Sequence, residues 1–305
     1  MKISRIGTFA RESSVEIEHH VKQLLLAAGV GEKLPTPKDD VVKCAELVEI
    51  GQLDLSLYEE GWFKKGVKHL LSALSKVRGL IDFREEILYV SRDIHPAQQV
   101  FVTYHEVTHR ILPWHEGLYN PHLDDEYSID PKLASGLEQE ANIGASLIQF
   151  QIDRFARELK DLPMGLLSAK YLADRYVTSL HSTFRKYVED NNRACAMTVL
   201  KEVIMPIPEQ QRLLQLWYPL QSTEFTNEFG FVDWGKFYYE GDVIYDTVFS
   251  SSLDLVKTEE IQLTDLRGVE RKCRIEVFTN KFNYFVLIYP LSTSFSKPRL
   301  ILVKG

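Results

Sequence analysis

The stretch Tyr104-His105-Glu106-Val107-Thr108-His109 decides how the rest of the chain is interpreted. On a helix, residues four positions apart lie on one face, so the imidazoles of His105 and His109 can bind the same cation. Glu106 projects about 100° further around the helix, where its carboxylate can reach an activated water without being a ligand. This spacing is typical of metal-dependent peptidases, in which the carboxylate acts as the general base.

The flanking residues predict that this motif lies on a helix. Asp93 can cap the helix, Pro96 suits its first turn, and Pro113 ends it. Apolar residues recur between these points at helical spacing, at Val100, Phe101, Tyr104, Val107 and Ile111. Because an H-E-x-x-H arises by chance in such a chain with a probability of about one or two per cent, a third ligand is needed to support the metal site. The alternative is a core-packed helix with histidines on its surface.

A third ligand is expected on a second helix, beyond the acidic and aperiodic loop of residues 121–126. From Pro131 to Lys160, apolar residues recur broadly at helical spacing. This stretch contains Glu138, which we predict to be the third ligand, and Asn142, which lies one turn later and can hydrogen-bond a ligand. Glu140 points elsewhere and is the weaker candidate. The alternative is that both carboxylates are solvated on the helix surface.

At these residues the chain resembles the ImmA/IrrE metallopeptidases. The resemblance rests on Phe101 before the first histidine, on the motif at 105–109, on Glu138-Gln139-Glu140-Ala141-Asn142 with the run 145–148, and on the hairpin-like stretch 79–90. It covers roughly residues 40–190.

The resemblance implies a zincin-like fold and a zinc endopeptidase in which His105, His109 and Glu138 bind Zn²⁺ and Glu106 activates water. It implies helix-turn-helix repressors as substrates, whose cleavage switches on stress-response or phage-defence genes. A CapP-like, defence-associated subgroup further implies single-stranded DNA as a signal of DNA damage. Imidazole and carboxylate ligands suit zinc, and manganese or iron are the alternatives.

Length and composition indicate a folded protein of ordinary character. The chain has 305 residues, of which 45% are hydrophobic and 26% charged, and this length favours two domains. The net charge of −7 argues against a large nucleic-acid-binding face. Without a signal peptide or a membrane-length apolar run, we expect a cytoplasmic protein. Cys44, Cys195 and Cys273 are widely separated, which indicates free thiols.

Periodicity predicts an α+β protein with a helical domain and a small sheet at 1–190, and a mostly antiparallel α+β domain at 191–305. The resemblance to the ImmA/IrrE family implies that the first is a metallopeptidase domain and that the second is of regulatory or sensor type. The further elements predicted for the first domain are a helix at 13–30 capped by Ser13 or Ser14, a helix after Pro37, a strand at 53–58, a helix at 63–74, a hairpin at 77–91, and a helix or helix pair at 166–190. Those predicted for the second domain are strands at 196–203, 213–218, 261–266, 273–278 and 284–289, and a helix near 242–255.

Some roles stay open between alternatives at this point. The segment after the helix that carries His105 and His109 contains His115, Tyr119, His122 and Tyr127. Each of these could stabilise an oxyanion or be an ordinary loop residue. A metal-binding sensor or interaction protein without peptidase activity is the alternative function, and a fourth protein ligand from His115 or His122 would favour it. A narrow, closed pocket would instead favour a hydrolase of small amides.

Overall fold

The structure is a computed structural model that describes residues 3–31, 33–50, 79–83, 85–116, 131–204, 212–251 and 255–291. The chain forms two compact units. The amino-terminal unit comprises Met1–Arg157 with Leu172–Leu180, and the carboxy-terminal unit comprises Glu158–Tyr171 with His181–Gly305. Both helices and sheets are present, so the predicted α+β class is confirmed. The predicted domain boundary at residue 190 stays a prediction.

The amino-terminal unit consists of helices around a small sheet. Its elements are α1 (Ile3–Ala27), α2 (Lys38–Cys44), β1 (Val48–Ile50), β2 (Gly79–Asp82), β3 (Ile87–Val90), α3 (Pro96–Ile111), α4 (Pro113–Glu116) and α5 (Pro131–Phe150). Two further helices, α6 (Arg154–Asp161) and α7 (Leu166–Tyr176), each include residues of both units.

The sheet of this unit has three strands in the order β1-β3-β2. The central strand β3 pairs in parallel with β1, where Val48 lies opposite Ile87, and antiparallel with β2, where Leu80 lies opposite Tyr89. The predicted hairpin is therefore present. A core of buried apolar side chains joins the sheet to the helices, including Ile17, Val21, Val41, Leu88, Tyr104, Val107, Ala145 and Ile148.

Helix α3 begins at Pro96, as predicted, but its cap differs from the prediction. The Nδ1 atom of His95 accepts a hydrogen bond from the backbone N–H of Ala97 at 3.2 Å, so His95 and not Asp93 caps the helix. An N-cap side chain must stand directly before the first turn, and Asp93 lies too early to do so. The helix ends at Ile111, before Pro113.

Two other helix boundaries differ from the prediction. Helix α1 begins at Ile3, so Ser13 and Ser14 lie inside it and do not cap it. A serine inside a helix costs only about 0.5 kcal/mol, which the adjacent turns can offset. Helix α5 ends at Phe150 because Gln151 and Ile152 adopt left-handed backbone with φ of 52°. The Gln151 amide donates to the backbone carbonyls of Val30 and Lys33, which ties this break to the loop after α1.

The carboxy-terminal unit is built on a six-stranded sheet, with β6-β5-β4-β9-β8-β7 as the strand order and antiparallel pairing throughout. Its elements after α8 (Leu180–Glu189) are β4 (Ala196–Ile204), β5 (Arg212–Gln221), α9 (Thr223–Phe229), β6 (Phe237–Tyr238), α10 (Val243–Phe249), β7 (Lys257–Thr264), β8 (Glu270–Thr279) and β9 (Tyr284–Pro290). The five predicted strands are all present.

The remaining predictions for the fold have mixed outcomes. The last two strands form the expected hairpin, with Ile275 opposite Ile288. The sequence did not predict α9 or the two-residue β6, because elements this short carry almost no periodic signal. The predicted strand at 53–58 and helix at 63–74 lie outside the described residues. All three cysteines are free. Among the described residues, no helix combines the length and the apolar character that crossing a membrane requires.

Candidate metal centre

Helix α3 places the two motif histidines side by side. His105 and His109 lie one turn apart, with ring centroids separated by 4.9 Å and their Nε2 atoms by 3.2 Å. His109 is buried, whereas His105 is partly exposed. Two unprotonated nitrogens at this distance would repel each other, and a cation between them removes that repulsion. The paired Nε2 atoms are therefore suited to share a metal ion.

Glu138 on α5 completes a group of three side chains that could bind a metal ion. Its Oε2 atom lies 3.1 Å from His105 Nε2, and its Oε1 atom lies 3.6 Å from His109 Nε2. Together these residues form a group that could hold a metal ion, with their ligand atoms within 4.8 Å of one another. Tetrahedral Zn²⁺ with bonds near 2.0–2.1 Å separates its ligand atoms by roughly 3.4 Å. The distances of 3.1, 3.2 and 3.6 Å match this geometry.

A close contact between α3 and α5 brings Glu138 to the histidines. At Gly144 on α5, a Cβ atom would lie 2.2 Å from Thr108 Cγ2 and 2.7 Å from Thr108 Oγ1. Thr108 is fully buried, and its hydroxyl donates to the backbone carbonyl of Tyr104. Only glycine leaves room for the two helices at this distance. Gly144 therefore controls how closely Glu138 approaches the two histidines.

The Nδ1 atoms of both histidines have hydrogen-bond partners on the side away from the ligand group. Asn142 Oδ1 lies 3.1 Å from His105 Nδ1, which is the hydrogen bond that the sequence predicts. His109 Nδ1 lies 2.8 Å from Nδ1 of His115. A ligand histidine whose second nitrogen is hydrogen-bonded has a fixed ring orientation.

The position of His115 does not fit either role that the sequence left open for it. Its side chain is 0% exposed, so it cannot reach an oxyanion on a substrate. It contacts the nitrogen of His109 that faces away from the ligand group, so it is not a fourth ligand. Tyr119, His122 and Tyr127 lie outside the described residues. Glu140 is not in the ligand group and instead accepts from Trp114 Nε1 at 2.7 Å.

Glu106 lies beside the ligand group and is not part of it. Its side chain is buried against the start of β2, where a Cβ atom at Gly79 would lie 2.7 Å from Glu106 Oε1. Burial raises the pKa of the Glu106 carboxyl to about 7, with the charge of Glu138 adding to the effect and that of His105 opposing it. A carboxyl group with such a pKa can exchange protons near neutral pH.

Burial and neighbouring charges shift the pKa values of the two histidines in opposite directions. Burial lowers the pKa of His109, and the charge of His105 lowers it further. Burial also lowers the pKa of His105, but its hydrogen bond to Glu138 and the charges of Glu106 and Glu138 outweigh that effect and raise it overall. His109 is thus kept neutral, which is the form that ligates a metal.

Comparisons with known proteins gave matches among solved structures. No protein-family model matches the chain, and no curated protein matches it. Among solved structures, the chain is similar to a Mycobacterium tuberculosis transcriptional regulator at 11% sequence identity and a TM-score of 0.48. That similarity covers 90% of this chain and 88% of the regulator.

Proposed function

We propose that this protein is a cytoplasmic zinc endopeptidase with a zincin-like domain of the ImmA/IrrE type. His105, His109 and Glu138 would hold Zn²⁺, and Glu106 would be the general base. The observation that carries the proposal is the convergence of two imidazole nitrogens and one carboxylate at distances of 3.1 to 3.6 Å, with a buried carboxylate next to them.

Three protein ligands support a catalytic site over a structural one. Structural zinc sites normally have four protein ligands, whereas catalytic sites keep one position open. Among the described residues, the ligand group has three members, and His115 is directed to the far side of His109. The Glu138 side chain is 51% exposed, so the group is open to solvent on one side. An open position is what an incoming substrate requires.

The residues of the chain have separate roles in peptide hydrolysis. Zinc, when bound, polarises the scissile carbonyl and lowers the pKa of water. Glu106 accepts the proton as water attacks, and then delivers it to the amine nitrogen that leaves. The position of Glu106 beside the ligand group suits both steps, because the carboxylate lies next to the site where water would be activated.

The identity of the substrate and the signal rests on the resemblance to the ImmA/IrrE family. We propose a helix-turn-helix repressor as the substrate, whose cleavage switches on stress-response or phage-defence genes. The segment 191–305 would regulate the peptidase, with single-stranded DNA as its signal. A metal-binding sensor or interaction protein without peptidase activity is the alternative.

The test is cleavage of a helix-turn-helix protein encoded beside this one, by zinc-loaded protein with and without single-stranded DNA. Wild type should cleave it, and Glu106→Gln should lose at least about 100-fold in rate, because it removes one general base. Glu116→Gln makes the same chemical change at the neighbouring helix α4 and should cleave as wild type does.

The outcomes separate the two functions. If Glu106→Gln cleaves at the wild-type rate, the assignment of the base is wrong. If wild type binds zinc in a 1:1 ratio but cleaves neither this protein nor unfolded polypeptides, the sensor function replaces the peptidase. Removal of zinc with a chelator should abolish cleavage, and added zinc should restore it.

A further inference from the structure

A continuous line of polar contacts lies behind the metal ligand His109. His109 Nδ1 lies 2.8 Å from His115 Nδ1, and His115 Nε2 lies 3.0 Å from Glu140 Oε2. The same carboxylate oxygen accepts from the indole N–H of Trp114 at 2.7 Å. The connection thus runs from a ligand on α3 through α4 to a carboxylate on α5.

The chemistry of a metal ligand determines the direction of every hydrogen bond in this line. A His109 that ligates through Nε2 must carry its proton on Nδ1, and it therefore donates to His115. His115 then accepts at Nδ1 and must carry its own proton on Nε2, which it donates to Glu140. The carboxylate can accept from both His115 and Trp114. Each of the three donors in this line has an acceptor.

Burial strengthens the hydrogen bonds of this line. The His115 side chain is 0% exposed, and that of Glu140 is 22% exposed. Hydrogen bonds to an ionised carboxylate are stronger than those between neutral groups, and a low local dielectric strengthens them further. By contrast, the acceptor behind His105 is the neutral amide of Asn142, which is an exposed residue. The two metal ligands are therefore supported unequally.

We propose that His115 and Glu140 form a positioning relay that fixes His109 in the Nδ1–H tautomer and makes its Nε2 a stronger zinc ligand. The proposal rests on the metal ligands assigned above. His115 and Glu140 are positioning residues, since they act through His109 and touch neither metal nor substrate. Trp114 donates a second hydrogen bond to the same Glu140 oxygen and so helps to hold the carboxylate in place.

The tautomers can be read directly by nitrogen NMR of zinc-loaded protein with ¹⁵N-labelled histidine. His109 should be protonated at Nδ1 and His115 at Nε2. A His115 protonated at Nδ1 would overturn the relay, because its Nδ1 could then no longer accept from His109. This measurement needs no substitution in the buried line and does not depend on activity.

Zinc affinity, measured by competition with a chromophoric chelator, gives the second readout. Substitution of a residue that hydrogen-bonds a metal-ligating histidine typically changes the metal affinity by about 10- to 100-fold. Glu140→Gln, which keeps the size but removes the charge, should weaken zinc binding by about 10-fold or more. The control Glu116→Gln should leave it unchanged. The visible bands of the cobalt-substituted protein should shift in Glu140→Gln and not in the control.

Two variants of His115 distinguish its hydrogen bond to His109 from its hydrogen bond to Glu140. His115→Asn places a carbonyl oxygen where Nδ1 lies, so it keeps the acceptor for His109 and loses Glu140. His115→Ala loses both and should bind zinc more weakly than His115→Asn. If either variant fails to fold by circular dichroism, the result for Glu140→Gln decides.

The ligand variant His105→Ala separates the relay from the metal site itself. If His105→Ala loses zinc while Glu140→Gln binds it with wild-type affinity and an unchanged cobalt spectrum, the relay is wrong and the metal site stands. If His105→Ala leaves zinc binding unchanged, the ligand assignment is wrong and the relay is rejected with it.

Discussion

The two units hold two different histidine environments. In the amino-terminal unit, His105 and His109 face each other and the Glu138 carboxylate. In the carboxy-terminal unit, His181 Nδ1 lies 2.8 Å from the Tyr218 hydroxyl, and its Nε2 lies 3.1 Å from the Asn283 amide. The ring of His181 also packs against aromatic side chains, with centroids 5.0 Å from Trp217 and 4.8 Å from Phe285.

The difference lies in the partners of the ring nitrogens. Each nitrogen of His181 has a neutral partner of its own, so the residue is a hydrogen-bonded part of the packing. The Nε2 atoms of His105 and His109 instead converge with a carboxylate on one point. Among the described residues, this is the one group of three or more histidine, cysteine or acidic side chains spaced for a metal ion. Convergence, and not burial, distinguishes the histidines of the candidate metal centre from the packed His181.

The largest expected effect is on zinc binding, which should change when His105 is substituted and not when His181 is. His105→Ala should lower zinc affinity by more than the roughly 100-fold that loss of a supporting hydrogen bond can cause, because it removes a ligand. His181→Gln should bind zinc with unchanged affinity. Competition with a chelator measures both. An equal loss in the two variants would show that convergence does not distinguish the two environments.

A smaller effect is expected from the contact that brings the third ligand into place. Gly144→Ala would put a Cβ atom 2.2 Å from Thr108 Cγ2, which should destabilise the fold by about 1–3 kcal/mol and weaken zinc binding. Gly136→Ala, on the same helix, meets nothing within 4 Å and should stabilise the fold by about 0.4–1 kcal/mol. Urea unfolding and zinc competition measure both variants.

A double substitution checks the cause of the Gly144 effect. Thr108→Ala removes the two atoms that would clash, so its combination with Gly144→Ala should be less destabilising than the sum of the single changes. Strict additivity would mean that the contact between α3 and α5 is not responsible.

The smallest expected effect is the pH dependence that His181 confers. Burial lowers the pKa of His181, and the charge of Lys201 lowers it further. Below pH 6.5, the unfolded chain therefore binds a proton that the folded chain does not, and this term makes stability fall as the pH falls. Urea midpoints measured with a chelator present should decrease less steeply below pH 6.5 in His181→Gln than in wild type. Equal slopes would contradict this assignment.

Helix α3 shows what the local sequence can predict. His105 and His109 lie on one face because four residues make about one turn, whatever the rest of the chain does. The start at Pro96 and the end before Pro113 follow from proline geometry. The predicted N-cap, Asp93, was wrong because His95 stands directly before the first turn and caps the helix instead. The break at Gln151 was missed because its cause, the carbonyls of Val30 and Lys33, lies far away along the chain.

The sequence by itself determined the chemical types in the site, the pairing of His105 with His109 on one helix, and five of the six strands of the antiparallel sheet. These depend on spacing within single elements, which is encoded locally. Only the tertiary structure decided that Glu138 reaches the histidines, that Glu140 lies behind them, and that His115 is neither a fourth ligand nor a loop residue. Those contacts join different helices, and their distances depend on how closely α3 and α5 pack at Gly144.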